Sequence, residues 1–307
     1  MKIKPLIEKF SDCGCIIFPT SGQKILDLPR NEIIQLFEKY GVIIFKDFGK
    51  ISDNILEFSN KYTLSYANDA QRREKKMGSD KLHGVDEGNL EMPMHSEASY
   101  SPAWPEIIWF YCNLAPKNSG QTTVCDGQSI YKNLNASEKK FFLENQILYD
   151  LKIPYGEEIF KNKNSKNKLK PWHIDHPGVK DCFINFSKKE IVFKLKRYAI
   201  NKLNYTDKLA FVNHLQIILN RDPQVLNITM ENGKKVPPKI MKKVKKVSDD
   251  LTVDINWKNH DLCMIDNRRF MHGRREINSS EKRDIMVIQT LKSNNEIGLF
   301  KDVYTYK

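Results

Sequence analysis

A histidine and a glutamate two residues apart, His95 and Glu97, lie in the run Met92-Pro93-Met94-His95-Ser96-Glu97-Ala98-Ser99-Tyr100. On an extended strand such positions project from the same face. An imidazole and a carboxylate side by side supply two-thirds of a 2-His-1-carboxylate facial triad, the donor set of non-haem iron sites that keep open coordination positions. The candidate third ligand is His272, in Asp266-Asn267-Arg268-Arg269-Phe270-Met271-His272-Gly273-Arg274. It is far downstream, so only a folded sheet could unite the three. Arg283 follows in Glu281-Lys282-Arg283-Asp284, just ahead of the apolar run Ile285-Met286-Val287-Ile288. Its planar fork suits a carboxylate, as a dicarboxylic co-substrate would require. A His-x-Glu triplet alone is common and is equally a buried polar pair; the ordered set of segments is the stronger signal.

Elements must exist to carry these residues. Asn31 to Tyr40 reads as a helix with Ile33, Leu36, Phe37 and Tyr40 on one face and Gly41 just past its end. Val42-Ile43-Ile44-Phe45 is a continuous apolar run, hence a buried strand. Ser52 or Asp53 can cap the next helix, which carries Ile55, Leu56 and Tyr62. The charged stretch 65–90, with Gly84 and Gly88, is either an approach to the His95 strand or a surface loop. Ile107 to Leu114 fits a core strand, and Pro116, Asn118 and Gly120 make the turn after it. Ser137 is a candidate cap, and Thr206 is expected to cap a helix carrying Leu209, Val212, Leu215 and Ile218, with His214 as a surface or packing residue. Pro237-Pro238 opens a helix whose Lys242, Lys243, Lys245 and Lys246 form a solvated face. Leu251 to Ile255 alternates like a strand, and Leu262 to Ile265 is a strand aiming Asp266 and Asn267 towards His272. By itself the pattern supports a mixed α and β chain with an antiparallel core.

Composition narrows the classes. With 307 residues and ordinary apolar content, the chain can bury a sizeable core. No apolar run reaches the length of a membrane span, and charge interrupts the first residues where a signal peptide needs its apolar stretch. A soluble, cytoplasmic protein is expected. The six cysteines (Cys13, Cys15, Cys112, Cys125, Cys182 and Cys263) are scattered, which is not a disulfide framework. A net charge of +12 invites a nucleic-acid reading. Yet the charge sits mostly on lysines in polar stretches without interleaved aromatics, which disfavours base stacking; an acidic protein partner fits the charge better.

The ordered motif set resembles the taurine dioxygenase (TauD/TfdA) family of Fe(II)- and 2-oxoglutarate-dependent oxygenases, and looks nearest to its SyrP-like branch. The resemblance runs from about residue 12 to 292 and is strongest over 91–127 and 230–292. It implies a single domain over 1–307, with a double-stranded β-helix (jelly-roll) core, flanking helices and a long insertion and helical region at 128–250. It implies His95, Glu97 and His272 as iron ligands, with Thr122 of Gly120-Gln121-Thr122 and Arg283 binding 2-oxoglutarate, and dioxygen as the further reactant. Two departures stand out: Gln121 occupies a position where an acidic residue is common, and His260 one where glycine is usual. Halogenases of this class lack the carboxylate that Glu97 retains. The implied outcome is therefore hydroxylation of an unactivated C–H bond in a small amino-acid-like substrate, free or tethered to an acidic carrier protein. Desaturation or cyclisation begins the same way.

Candidate substrate contacts are Ser99, Tyr100, Asn185 and Arg274. Tyr100 reads equally as core, and Arg274 and Arg275 equally as ion-paired side chains. A rival His-x-Asp, His173 and Asp175, sits at the edge of a Lys/Asn-rich polar segment and lacks an apolar strand before it. Competing readings are a non-catalytic jelly-roll binding protein that keeps an inherited metal pocket, and a nucleic-acid-modifying oxygenase. Substrate identity and oligomeric state are left open, a homo-oligomer included.

Overall fold

A computed structural model describes residues 1–6, 13–67, 73–85, 88–101, 103–154, 179–185, 187–188, 190–203, 205–220 and 226–293. The first half carries strands β1 (Lys2–Pro5), β2 (Cys15–Phe18), β3 (Val42–Phe45), β4 (Thr63–Tyr66), β5 (His83–Gly84), β6 (Met92–His95), β7 (Ile107–Leu114), β8 (Thr122–Asp126) and β9 (Ile147–Pro154). The second carries β10 (Val179–Asn185), β11 (Glu190–Arg197), β12 (Ile200–Lys202), β13 (Leu209–Phe211), β14 (Leu226–Met230), β15 (Val253–Asp254), β16 (Leu262–Asp266), β17 (Phe270–Arg274) and β18 (Asp284–Ser293). The helices are α1 (Arg30–Tyr40), α2 (Ile55–Asn60), α3 (Gly127–Asn133), α4 (Ala136–Glu144) and α5 (Pro238–Leu251).

Two sheets face each other. The larger runs β1-β2-β3-β16-β7-β18-β4, with β5 also on β18, and the smaller runs β15-β8-β17-β6. Their pairings are antiparallel except for β2 on β3. Between them lie Ile44, Phe110 and Val287 from one side and Val124, Phe270 and Trp257 from the other. The alternate side chains of the larger sheet, among them Ile43, Phe45 and Trp109, pack on the opposite face against Phe37 of α1 and Phe58 of α2. Burial on both faces explains why β3 reads as an unbroken apolar run. The outer face of the smaller sheet, with Met94, Cys125 and Met271, is covered by elements from 128–250, including Phe142 of α4, Tyr149 of β9 and Val244 of α5. Within that region β10-β11-β9-β14 form a further sheet. No helix among the described residues is long and apolar enough to cross a membrane.

The α1 reading transfers closely: Ile33, Ile34 and Phe37 are buried, and Gly41 ends the helix at φ 67 with its N–H on the Phe37 carbonyl. Other local expectations shift. Asn54, not Ser52 or Asp53, precedes α2, and Ser52 instead donates to Asp53. At α4 the cap is Asn135, in a reciprocal box with Glu138, and Ser137 merely donates to Asn135. The helix expected after Thr206 is replaced by β13 and a 3-10 turn at Leu215–Asn220. Leu209, Ala210 and Phe211 pair with Lys202, Asn201 and Ile200, so the ladder overrides the helical spacing. Asn213 then accepts from the Leu215 N–H, turning the chain into the short 3-10 segment. Leu251 closes α5 rather than opening a strand, leaving only Val253–Asp254 in β15. His260, at the position the resemblance gives to glycine, adopts φ 75, a left-handed conformation costly for a side chain; its Nδ1 meets the Tyr111 hydroxyl at 2.9 Å. The five described cysteines are free thiols.

Gly41 tests the joint between α1 and the sheets. A Cβ there would run into the Phe270 ring as well as requiring a left-handed backbone. Gly41→Ala should lower stability by about 2 kcal/mol or more in urea unfolding. A neutral result would mean that the helix end does not bear on the smaller sheet.

Candidate metal centre

The register of two strands builds the site. β17 pairs with β6 so that His272 lies directly opposite His95, and the two rings are 4.5 Å apart. Glu97 reaches them differently from the strand expectation. β6 ends at His95, and Glu97 lies in the turn that follows. Asn267 holds that turn: its Oδ1 accepts the Glu97 N–H at 2.8 Å, and its Nδ2 donates to the Glu97 carbonyl at 3.0 Å and the Pro105 carbonyl at 2.8 Å. Ser96 Oγ adds a bond to the Asn267 carbonyl at 2.7 Å. Asn267 therefore secures Glu97 rather than His272, and Asp266 accepts from the Tyr205 hydroxyl at 2.6 Å and from the N–H groups of Arg268 and Arg269.

The donor atoms converge. Glu97 Oε2 is 3.5 Å from His95 Nε2 and 3.6 Å from His272 Nε2, and all three ligand atoms lie within 4.8 Å of one another. His95 Nδ1 is 2.8 Å from the Pro93 carbonyl. Only a protonated Nδ1 can make that bond, so the Nε2 lone pair is left for a metal. Glu97 Oε1 is engaged by Arg73 Nη2 and Gln289 Nε2, each at 3.2 Å, leaving Oε2 for the histidine side. Phe110 and His214 stack edge-on against His272 and His95 at 5.3 and 5.1 Å. His214, expected at the surface or in packing, is buried, with Nδ1 on the Ser96 carbonyl at 3.2 Å. Burial, then the neighbouring His95, pushes His272 down from 6.5 to about 4, so it is neutral at physiological pH. Burial alone would raise Glu97, but the Arg73 guanidinium beside it holds it well below the usual carboxylate range. Two imidazoles and one anionic oxygen, with one side open to a cavity, fit a divalent first-row metal such as ferrous iron.

That cavity, of 50 Å³, is lined by the triad together with Thr122, Arg274 and Arg283. It adjoins an outer cavity of 710 Å³ that shares Arg73, Val85, Arg274 and Arg283. Arg283 is lowered to about 10 by burial and then by Arg274, so it keeps its charge at neutral pH. Its buried Nε meets no hydrogen-bond partner among the described residues, which suits an incoming carboxylate. Gly120 belongs to this corner: at φ 78, a Cβ on it would sit 2.8 Å from Ile277 and 3.3 Å from the Arg283 side chain. Thr122 Oγ1 accepts from Trp257 Nε1 at 3.0 Å.

The remaining expected residues are less central. Arg274 lines the cavity, but its Nη2 donates to the carbonyls of Gly88 and Leu90 at 2.7 and 2.8 Å. Arg275 pairs with Asp254 and Glu91. Ser99 is buried and Tyr100 half-buried beyond Glu97; neither lines the triad cavity, and the Tyr100 ring lies 4.7 Å from His214. Asn185 ends β10, an edge strand, and only its backbone is described. His173 and Asp175 lie outside the described residues. Arg73, Gln289 and the clamp made by Asn267 were not foreseen. Gln289 left a signal, being the polar residue on the inward series Ile285, Val287, Gln289. Arg73 left none in its charged segment.

Comparison with known proteins follows the same lines. The sequence model described as "Taurine catabolism dioxygenase TauD, TfdA family" matches residues 16–289. A clavaminate synthase-like protein of Arabidopsis thaliana is 21% identical over 269 residues, covering 80% of this chain and 81% of that protein. The 3-((Z)-2-isocyanoethenyl)-1H-indole synthase of Fischerella ambigua is 23% identical over 146 residues, 46% of this chain and 45% of that enzyme. Among solved structures, PvcB of Pseudomonas aeruginosa superposes with a TM-score of 0.60 at 12% identity, covering 94% of this chain and 90% of PvcB. AAD-2 in complex with Mn(II) and N-oxalylglycine gives a TM-score of 0.60 at 16% identity, covering 94% and 96%. At such identities the structural likeness concerns the fold.

Two measurements probe the centre. In the folded metal-free protein His272 resists protonation, whereas in the unfolded chain it titrates near 6.5. Stability should therefore fall as pH drops through 6.5 towards 4, by about 2 kcal/mol at pH 5. Denaturant melts at pH 7 and pH 5 check this, and His272→Ala should flatten the dependence; a stability that rises on acidification contradicts the burial argument. Asn267→Ala should cost about 2–4 kcal/mol by unpairing buried polar groups. It should also weaken metal binding measured by calorimetry; unchanged metal affinity would show that the Glu97 turn holds itself.

Proposed function

The chain belongs to the taurine catabolism dioxygenase TauD, TfdA family, and on that premise we propose that it is an Fe(II)- and 2-oxoglutarate-dependent oxygenase that hydroxylates an unactivated C–H bond of a small amino-acid-like molecule. The observation that carries this reading is the convergence of His95, Glu97 and His272 on one cavity that also contains Arg283. We read the two facing sheets as the double-stranded β-helix of one domain. His95, Glu97 and His272 would hold the iron, and Arg283, with Thr122, the far carboxylate of 2-oxoglutarate. Held by these residues, iron would supply the chemistry that couples oxidative decarboxylation of 2-oxoglutarate by dioxygen to removal of hydrogen from the substrate.

The chain's own residues account for the rest. Arg73 and Gln289 keep Glu97 anionic and fix its Oε1, so that Oε2 faces the metal position. Phe110 and the burial of both histidines keep bulk water away from that position. The outer cavity is the place for substrate, free or presented by a carrier protein. A second outcome, desaturation, is supported by the Fischerella relative, whose named product carries an ethenyl group. Product mass separates the two: hydroxylation adds an oxygen atom, and desaturation removes a pair of hydrogens.

The test is anaerobic titration of Fe(II) into protein plus 2-oxoglutarate, watching the weak visible charge-transfer absorption of chelated 2-oxoglutarate. Wild type should develop the band and His95→Ala should not. Arg283→Ala should need about 30-fold more 2-oxoglutarate or beyond, the cost of losing a buried charge partner. Absence of the band from wild type would sink the proposal and favour a non-catalytic binding protein.

A further inference from the structure

Behind the smaller sheet lies a cavity of 480 Å³ that the proposed reaction does not use. Strand alternation sets it on the other face from the metal centre: Thr122 and Arg274 line the triad cavity, Thr123 and Arg275 line this one, and Met92 borders both. Its floor is Met92, Pro93 and Met94 around β6, its far wall is the Pro238, Met241 and Lys242 face of α5, and Leu215 and Ile228 contribute further apolar surface. The volume is within the range of about 300–1,000 Å³ typical of small-molecule sites.

Two observations say what would fill it. The interior is apolar and rich in methionine, with Met92, Met94 and Met241 together; such flexible, polarisable side chains adapt to a chain-like apolar ligand. The mouth carries net positive charge. Asp249 is paired with Lys245 at 2.8 Å, and Arg275 is paired with Asp254 at 2.9 Å and faces Glu91 at 3.9 Å. Lys235 and Lys242 are exposed at the same opening, and neither has an acidic partner among the described residues. An apolar chamber beneath uncompensated ammonium groups is complementary to an amphipathic anion.

We propose that this cavity binds a straight-chain carboxylate, its tail among Met92, Met94 and Met241 and its head group at Lys235 and Lys242. The site lies on the opposite face of the sheet from the metal, sharing only Met92 with the triad cavity, and does not depend on the oxygenase reading.

Calorimetric titration of laurate into the full metal-free chain at low ionic strength tests it, beside dodecanol and phosphatidylglycerol vesicles. Saturable binding of one laurate per chain is expected. Met241→Trp, which fills the chamber, should abolish it. Lys242→Glu, a surface change that leaves the fold alone, should weaken it roughly three- to tenfold. His95→Ala should bind like wild type. Circular dichroism of each variant shows that it is folded. No saturable binding by wild type, or binding untouched by Met241→Trp, would overturn the site. Dodecanol binding as tightly as laurate would overturn its anion selectivity, binding lost in His95→Ala its separateness, and adsorption to vesicles alone the cavity itself.

Discussion

The pairing of β6 with β17 at His95 and His272 is the constraint on which the centre depends. Strand side chains alternate, so a slip of one residue would replace His272 by Met271 or Gly273 and turn the imidazole out of the sandwich. The same strand is held on its other edge by β8, with His272 opposite Val124. Each flank of β17 thus fixes the register that the other needs. The third ligand lacks this protection because it lies past the end of β6. Its place is supplied by Asn267, which bonds both the N–H and the carbonyl of Glu97 and ties them to Pro105. The carboxylate is as well located as the imidazoles, but through side-chain bonds rather than a ladder.

Electrostatics makes this arrangement costly without partners. A buried carboxylate favours protonation, yet Glu97 is held anionic because the Arg73 guanidinium stands beside it. Burial also keeps His272 from taking a proton, so the centre presents a neutral imidazole and a charged oxygen without competition from protons at neutral pH. A few ångströms away the balance is opposite. Arg283 and Arg274 oppose each other's charge, and an anion between the metal position and Arg283 would relieve both burial and repulsion. One corner is anionic and the adjoining one cationic, an arrangement that under the proposed reading would take a metal beside the far carboxylate of 2-oxoglutarate.

What the sequence disclosed follows from which forces are local. Helix α1, its Gly41 end and the buried β3 obey short-range rules of spacing and backbone freedom, and they emerge as read. The triad histidines and Arg283 are legible because their residue types are chemically specific and their order is fixed along the chain. The reading fails where a distant partner decides. Leu209 to Phe211 has helical spacing but pairs with Ile200 to Lys202. Tertiary placement likewise sends Asn267 to Glu97 across a sequence separation of 170, and Arg73 arrives from a charged stretch with no periodicity. The caps of α2 and α4 fall on Asn54 and Asn135, so the neighbouring candidates were off by one or two places.

The smaller sheet divides labour between adjacent residues. Thr122 and Arg274 turn towards the metal cavity, whereas Thr123 and Arg275 face the elements of 128–250. Cys125 and Met271 on that outer face pack with Phe142 and Tyr149, against which the strands are seated. The triad's geometry on the inner face is therefore conditional on packing on the outer one, because a strand cannot tilt one side chain without moving its neighbour. The long middle region is not a mere appendage of the sandwich. It is the second layer that keeps β8, β17 and β6 in place, and His95 and His272 inherit their precision from it.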